Sequence, residues 1–476
     1  MQDDMRERSQ LFIGGRWTAP HSTAPAIEVT DASTGGHLGS IPAGDAADVD
    51  RAVAAAQAAA DEWRQTDPAE RAAALEAVRE QLASRLDDIA DLISLEVGTP
   101  SNISKKVQVG LPLATLQGFA DAARSFPWER AVGNSVVVRE GAGVVAAITP
   151  WNYPLHQLVG KVGGALAAGS TVIAKPASDA PLSAFALADA IEAAGLPAGV
   201  FNLVSGGGAA VGEPLAGDPR VDLVSFTGST QVGARIAALA AANVTRTSLE
   251  LGGKSASIVL DDADLERAVR SSVGNAFLNS GQTCSAWTRL VVPRALQARV
   301  IEIAVASVER LRLGHPLEET TRLGPLVSAA QQRSVRAHID RGTAIARLVT
   351  GGSQQPAGLD AGFYVSPTIF ADVDNSSPLG QEEIFGPVLS IIPFDSEEQA
   401  VTIANDSPYG LAGGVWSGDP EHALAVARRI RTGQIDINGA PFNPIAPFGG
   451  VKSSGYGREF GEFGIEEFTV TKAIQR

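Results

Sequence analysis

Residues 143–178 read GVVAAITPWNYPLHQLVGKVGGALAAGSTVIAKPAS, and the order of residue types in them sets the fold class. GVVAAITP is a short apolar run closed by proline, which reads as a strand buried on both faces. Leu155–Ala168 is a helix candidate. STVIAKP is a second apolar strand and Leu182–Ala194 a second helix; GVFNLVSG, a helix near 208–216, DLVSFTGS and a helix from Gln231 continue the series. Strands alternating with helices predict a parallel sheet covered on both faces, an α/β fold. Ligands of such sheets sit beyond the carboxyl ends of the strands. The polar groups at those ends are Asn152, Lys175, the glycines at 206–208 and Thr227–Ser229.

Upstream, residues 45–64 and 68–97 are Ala-rich with charges at helical spacing, the first opened by Asp45 as an N-cap. Residues 123–140 break the pattern with GNSVVVRE, a strand-like excursion. Downstream, a second region begins after TSLELGGKS (247–255). Residues 264–280 and 294–313 read as helices, 363–370 and 388–394 as strands, and alternation runs to about 438. PFGGVKSSGYGREFG (447–461) is too rich in Gly and Ser for a regular element, and 466–475 is extended.

A chain of 476 residues exceeds one ordinary core, so two or more packed units are expected. With 45% hydrophobic and 19% charged residues it reads as globular. The net charge of −15 repels phosphate backbones and argues against a nucleic-acid partner. The one cysteine, Cys284, rules out an intrachain disulfide. The charged start MQDDMRERSQ lacks the apolar run of a secretory signal, and the charge-free stretches 141–160 and 193–212 contain Pro and several Gly, so no membrane span is expected. A cytoplasmic location follows by elimination.

Cys284 lies in FLNSGQTCSAW. A lone cysteine is more often a small buried hydrophobe, but polar, Gly-containing surroundings favour a reactive thiol. Glu250, in LELGGK, is either a surface acid at a strand end or a carboxylate whose pKa is raised by apolar surroundings to suit a general base. Asn152, in TPWNYP, is a turn-former or a rigid amide donor for a developing oxyanion. Lys175 is a solvated strand end or a ligand for cofactor ribose or phosphate. Gly228, Ser229 and Gly233 in FTGSTQVG stand at a strand-to-helix turn that suits a pyrophosphate, although the usual GxGxxG fingerprint is absent. Gly206–Gly208 alone signify a flexible turn.

Together these segments resemble the aldehyde dehydrogenase superfamily over nearly the whole chain, from FIGGRW (12–17) onward. The motifs are TPWNYP (149–154), KPAS (175–178), FTGST (226–230), LELGGK (249–254), GQTC (281–284), EEIFGPV (382–388) and PFGGVKSSGYGRE (447–459). The resemblance implies Cys284 as nucleophile, Glu250 as base, and an oxyanion hole of Asn152 and the Cys284 amide. It implies Lys161 and Glu459 in a proton relay with Glu250. Thr149, Trp151, Lys175, Ser178, Gly228, Ser229, Gly233, Leu251, Glu383 and Phe385 would hold NAD or NADP, with Glu383 on the nicotinamide ribose. The implied architecture is a Rossmann-like cofactor domain (1–122 and 141–253), a second α/β catalytic domain (254–450) and a small β oligomerisation arm (123–140 and 465–476). The arm implies a homodimer or homotetramer, since an unpaired strand edge invites a partner. No metal is expected.

Two features depart from the family pattern. Ser178 stands where many NAD-preferring members carry glutamate, which removes a carboxylate that would repel a 2′-phosphate, so NADP is expected to be accepted beside NAD. Gly160 replaces an often bulky residue and predicts a wide substrate tunnel. Tyr153, Gln157, Thr283, Ser285, Phe442 and Phe448 are the other wall candidates, and no arginine lies within four residues of Cys284, so the expected substrate is a medium-sized apolar or aromatic aldehyde. Two alternatives stay open: a CoA-acylating or reductive relative, and a non-catalytic binding protein on the same fold.

Overall fold

The computed structural model describes residues 5–476. The opening segment is strand, helix, strand: Val144–Ile148, Pro154–Ala168 and Thr171–Lys175. Proline at the first helical turn needs no N–H partner there, and Gly169, at φ 85°, ends the helix in the left-handed conformation. The two strands pair in parallel from Val144–Thr171 to Ile148–Lys175, so both end at one level and the turns after them lie side by side.

The first sheet orders its parallel strands Arg246–Glu250, Leu223–Thr227, Val144–Ile148, Thr171–Lys175 and Phe201–Leu203; Leu11–Ile13 and Arg16–Thr18 extend it antiparallel. Every residue of the three strands 144–148, 171–175 and 223–227 is buried, as expected where helices cover both faces. At the other edge Gly455–Tyr456 pairs antiparallel with Leu249–Glu250. The 447–461 segment is therefore not wholly irregular: backbone pairing, which needs no side chains, makes a two-residue strand of it.

The second sheet orders Arg347–Thr350, Thr368–Ala371, Val388–Phe394, Arg289–Pro293, Ala256–Val259, Gly413–Trp416 and Asp436–Ile437, parallel except for its first strand. A third, antiparallel sheet joins Glu129–Val132, Ser135–Gly141 and Thr469–Gln475.

Two expected helices are interrupted. The 68–97 helix is two, Pro68–Ala83 and Leu86–Val97, separated by non-helical backbone at Arg85. The helix expected over 264–280 ends at Ala276, and Asn279 and Ser280 then adopt left-handed backbone (φ 52° and 57°), which Asn tolerates better than most residues. That turn delivers GQTC into the interior. The sequence reading also passed over a helical segment from Ser101 to Ser125, containing a π-helical stretch at Ser104–Gly110, which supplies part of the cavity wall described below.

Candidate active site

A cavity of about 610 Å³ opens onto Cys284. Tyr153 and Gln157 line it from the start of the 154–168 helix, Thr283 and Ser285 flank the cysteine, and Phe442 and Phe448 come from the C-terminal segment. Gly160 does not line it. A methyl group built there would lie 3.0 Å from the ring of Phe460 and 3.4 Å from Glu459 Oε2, so the space spared by the glycine is filled by Phe460 and does not widen the cavity.

Cys284 is half-buried. Burial raises its thiol pKa, the negative charges of Glu383 and Glu250 raise it further, and the Ser285 and Cys284 backbone N–H groups oppose them. Asn152 is buried on the turn after the first strand. Its Nδ2 donates to the Gln282 carbonyl at 3.0 Å, and its own carbonyl accepts from Gln108 Nε2 and Asn279 Nδ2, each at 2.9 Å. An amide nitrogen has two hydrogens, so one donor remains beyond the bond to Gln282. Tyr153 Oη bonds Thr283 Oγ1 at 2.6 Å, tying the Asn152 turn to the cysteine loop a second time.

Glu250 ends the strand 246–250, 3% exposed, and neither carboxylate oxygen has a hydrogen-bond partner. Burial, then the charge of Glu459, raises its pKa well above the ordinary carboxylate value, against the attraction of Lys161 and Arg458. The loop after it crosses the cysteine: a methyl group on Gly253 would meet the Cys284 carbonyl oxygen at 2.2 Å, a contact only glycine permits. Lys161, fully buried on the 154–168 helix, pairs with Glu459 and donates to Ser225 Oγ at 3.1 Å.

The residues expected at a dinucleotide lie along the carboxyl ends of the first sheet. Thr149 N–H donates to the Lys175 carbonyl at 3.1 Å. Lys175 is buried, its amine bonded to the Pro176 carbonyl alone, and burial lowers its pKa to about 8 against the pull of Asp179. Ser178 Oγ donates to the Gly206 carbonyl at 3.4 Å. Gly228 N–H donates to the Glu250 carbonyl, and Ser229 caps the helix Thr230–Ala241 through Val232 N–H. Gly233 lets that helix press on Leu251, whose side chain a methyl group would meet at 2.4 Å.

Glu383 Oε1 accepts Gly253 N–H at 2.8 Å; burial raises its pKa to about 7, opposed by that bond and by Lys254. Phe385, at φ 57°, packs edge-on against Trp151 with ring centroids 5.4 Å apart. The sequence reading missed His156, Phe460 and Trp287 in the cavity wall. His156 is buried, which lowers its pKa to about 4. Its one available signal was its place one helical turn before Gly160, and that does not reveal which way the ring points.

The family model described as the aldehyde dehydrogenase family matches residues 17–474. The chain is 46% identical, over 99% of both chains, to a 3-succinoylsemialdehyde-pyridine dehydrogenase of a Pseudomonas species. Its fold superposes with a TM-score of 0.97 on a cysteine-to-alanine mutant of aldehyde dehydrogenase C from Pseudomonas syringae complexed with NAD+ and octanal, at 44% identity over 98% of this chain and 96% of that one. A Mycobacterium tuberculosis aldehyde dehydrogenase complexed with NAD+ gives a TM-score of 0.96 at 44% identity, over 99% of this chain and 98% of that one. With its fold, its motifs and its relatives in agreement over nearly its whole length, this chain belongs to the aldehyde dehydrogenase family.

Proposed function

We propose that the protein oxidises an aldehyde to the carboxylic acid with NAD or NADP, through an adduct on Cys284 that Glu250 resolves with water. The observation that carries this reading is Glu250 itself. A buried carboxylate with no partner is costly and calls for a role, and this one ends the strand whose following loop packs, at Gly253, against the Cys284 peptide.

The residues at the strand ends fit a dinucleotide. Lys175 offers a buried amine with one protein acceptor for three donors, and the N-terminus of the helix Thr230–Ala241 is open to solvent. Lys175 and Ser178 would hold the adenosine end, Gly228–Gly233 the pyrophosphate, and Glu383 with Phe385, Trp151, Thr149 and Leu251 the nicotinamide end. A nicotinamide, when bound, supplies the hydride acceptor that takes the Cys284 adduct to a thioester.

Cys284 reacts as the thiolate, its proton taken by the Glu250 carboxylate through water and passed on toward Glu459 and Lys161, and its sulfur bonds the carbonyl carbon. Asn152 Nδ2–H and the Cys284 N–H receive the negative charge that moves to oxygen, a contribution of about 3–4 kcal/mol per donor in related chemistry. Glu250, its pKa raised, takes a proton from water, whose oxygen adds to the thioester carbon. The C–S bond then breaks, the acid leaves and the thiol is restored. Lys161 and Glu459, whose charges act on Glu250, would pass its proton onward. A free Glu250 carboxylate favours water over coenzyme A as the acceptor of the acyl group.

Cys284→Ala is expected to abolish oxidation, and Glu250→Gln to give one burst of reduced cofactor followed by a stall. Steady turnover of the Gln variant without coenzyme A would overturn the assignment. Ser178 supplies no carboxylate to repel a 2′-phosphate, so both cofactors are expected to work; a kcat/KM more than a thousandfold in favour of NAD would refute this. The wall contains no arginine and, apart from Lys106 and Asp436, no formally charged side chain, which suits a medium-sized apolar or aromatic aldehyde. The three-stranded arm, with Val132 and Ile474 exposed, supports assembly to a homodimer or homotetramer. Among the described residues no helix is long and apolar enough to cross a membrane, and a reactive thiol suits the reducing cytoplasm.

A further inference from the structure

Four rings of the cavity wall pack on one another. His156 stacks on Phe460 with centroids 5.0 Å apart and planes 16° from parallel. Phe442 meets Phe460 edge-on at 6.0 Å and 89°, and Phe448 lies 6.0 Å from both. Phe460 is the ring common to three of these contacts, and two independent features fix it. On one side, Gly160 leaves the space that the ring occupies, since any side chain there would meet it at 3.0 Å or less. On the other, Phe460 is held at φ 71°, a conformation a bulky L residue adopts only where its surroundings impose it. The surroundings are explicit: Glu459, the residue before it, exchanges both backbone hydrogen bonds with Phe448, at 2.7 and 2.9 Å.

We infer that Phe460, seated by Gly160, is a specificity-determining residue, and that the cavity takes aldehydes whose tail carries an aromatic ring packed on the wall of Phe460, His156, Phe442 and Phe448. The inference deepens the proposed oxidation and rests on it. The cavity is of the size that encloses whole small organic ligands, so a two-carbon aldehyde would leave most of it unfilled. His156 is uncharged at neutral pH, because burial takes its pKa to about 4, and so it presents a neutral ring to a neutral tail. Rings in offset or edge-on contact gain attraction beyond the area they bury, which an aliphatic group of equal size does not.

The test compares 3-phenylpropanal with 3-cyclohexylpropanal, tails of the same length and similar bulk, by cofactor reduction with the full-length enzyme. The wild type is expected to favour the phenyl compound about three- to tenfold in kcat/KM, expressed mainly in KM. Phe460→Leu is expected to bring that ratio to about one. A wild-type ratio of one overturns the inference even if the variant does not fold, and a ratio that survives in folded Phe460→Leu overturns the role of Phe460. Hexanal is the third substrate: its oxidation alongside a ratio of one removes only the aromatic preference, whereas reduction with none of the three removes the oxidation reading itself.

Discussion

Two regions meet at the 154–168 helix, and they have opposite chemistry. Toward the first sheet stand Glu250, Lys161 and Glu459, three buried ionisable groups with one ion pair between them. Toward the cavity stand His156, Phe442, Phe448 and Phe460, four neutral rings of its wall. Yet each region borrows from the same two peptides: Gly160–Lys161 on the helix and Glu459–Phe460 facing it. Of each neighbouring pair, one member serves the charges and the other the rings. Charge buried beside apolar surface is kept in place by its partner alone, whereas a ring in a wall is kept by many weak contacts. The charged region should therefore fail abruptly on a single change and the aromatic region gradually.

The largest expected effect is on the charged side. Lys161→Met strands Glu459 in the interior and should cost about 3–5 kcal/mol, read as a marked fall in Tm. Adding Glu459→Gln should recover part of it; a double variant no more stable than the single one would mean that the pair is not the source of the loss.

An intermediate effect concerns His156, which is depressed to about 4 in the folded protein against about 6.5 unfolded. Above pH 6.5 both states are neutral and the ring has no pH-dependent cost. As the pH falls from 6.5 to 4 the unfolded chain takes the proton and the folded one resists it, so stability declines by up to about 3 kcal/mol. His156→Phe keeps a ring against Phe460 and should lose less Tm between pH 7 and pH 4.5 than the wild type. An equal loss in both would show that His156 is not the group responsible.

The smallest effect is at the rim. Phe442 is 38% exposed, so Phe442→Leu should change stability by less than about 1 kcal/mol and raise the KM for 3-phenylpropanal about two- to threefold. An effect larger than that of Phe460→Leu would move the ring-binding surface from the interior to the mouth.

The charged side and the candidate site beside it were legible in part, Glu250 from its own motif but Lys161 and Glu459 only through the family resemblance. Asn152, Lys175, Glu250 and Cys284 lie in short motifs at strand ends or sharp turns, where local residue choice and backbone shape coincide. The strand–helix–strand order of 143–175 appeared at its expected place because burial on both faces demands uninterrupted apolar strands. The breaks at Arg85 and at Asn279–Ser280 were not legible, because helical periodicity runs through them and only packing decides where the chain turns.

The aromatic side was legible only in part. Phe442 and Phe448 could be named as wall candidates from their motif, but His156 and Phe460 could not, and Gly160 was assigned the opposite consequence. Composition and order alone determined an α/β chain with one thiol, a candidate nucleophile, beside a candidate base and a candidate amide donor, since those depend on residue identity within a few positions. Tertiary structure alone decided that Phe460 fills the space beside Gly160, some three hundred residues away in the chain, and that Glu459 turns the other way to pair with Lys161. The reason is geometric. A side chain's direction follows from the backbone angles at its own residue, and the φ of 71° at Phe460 is imposed by the bridge that the preceding residue, Glu459, makes to Phe448 and by the packing around the ring, not by local residue preference.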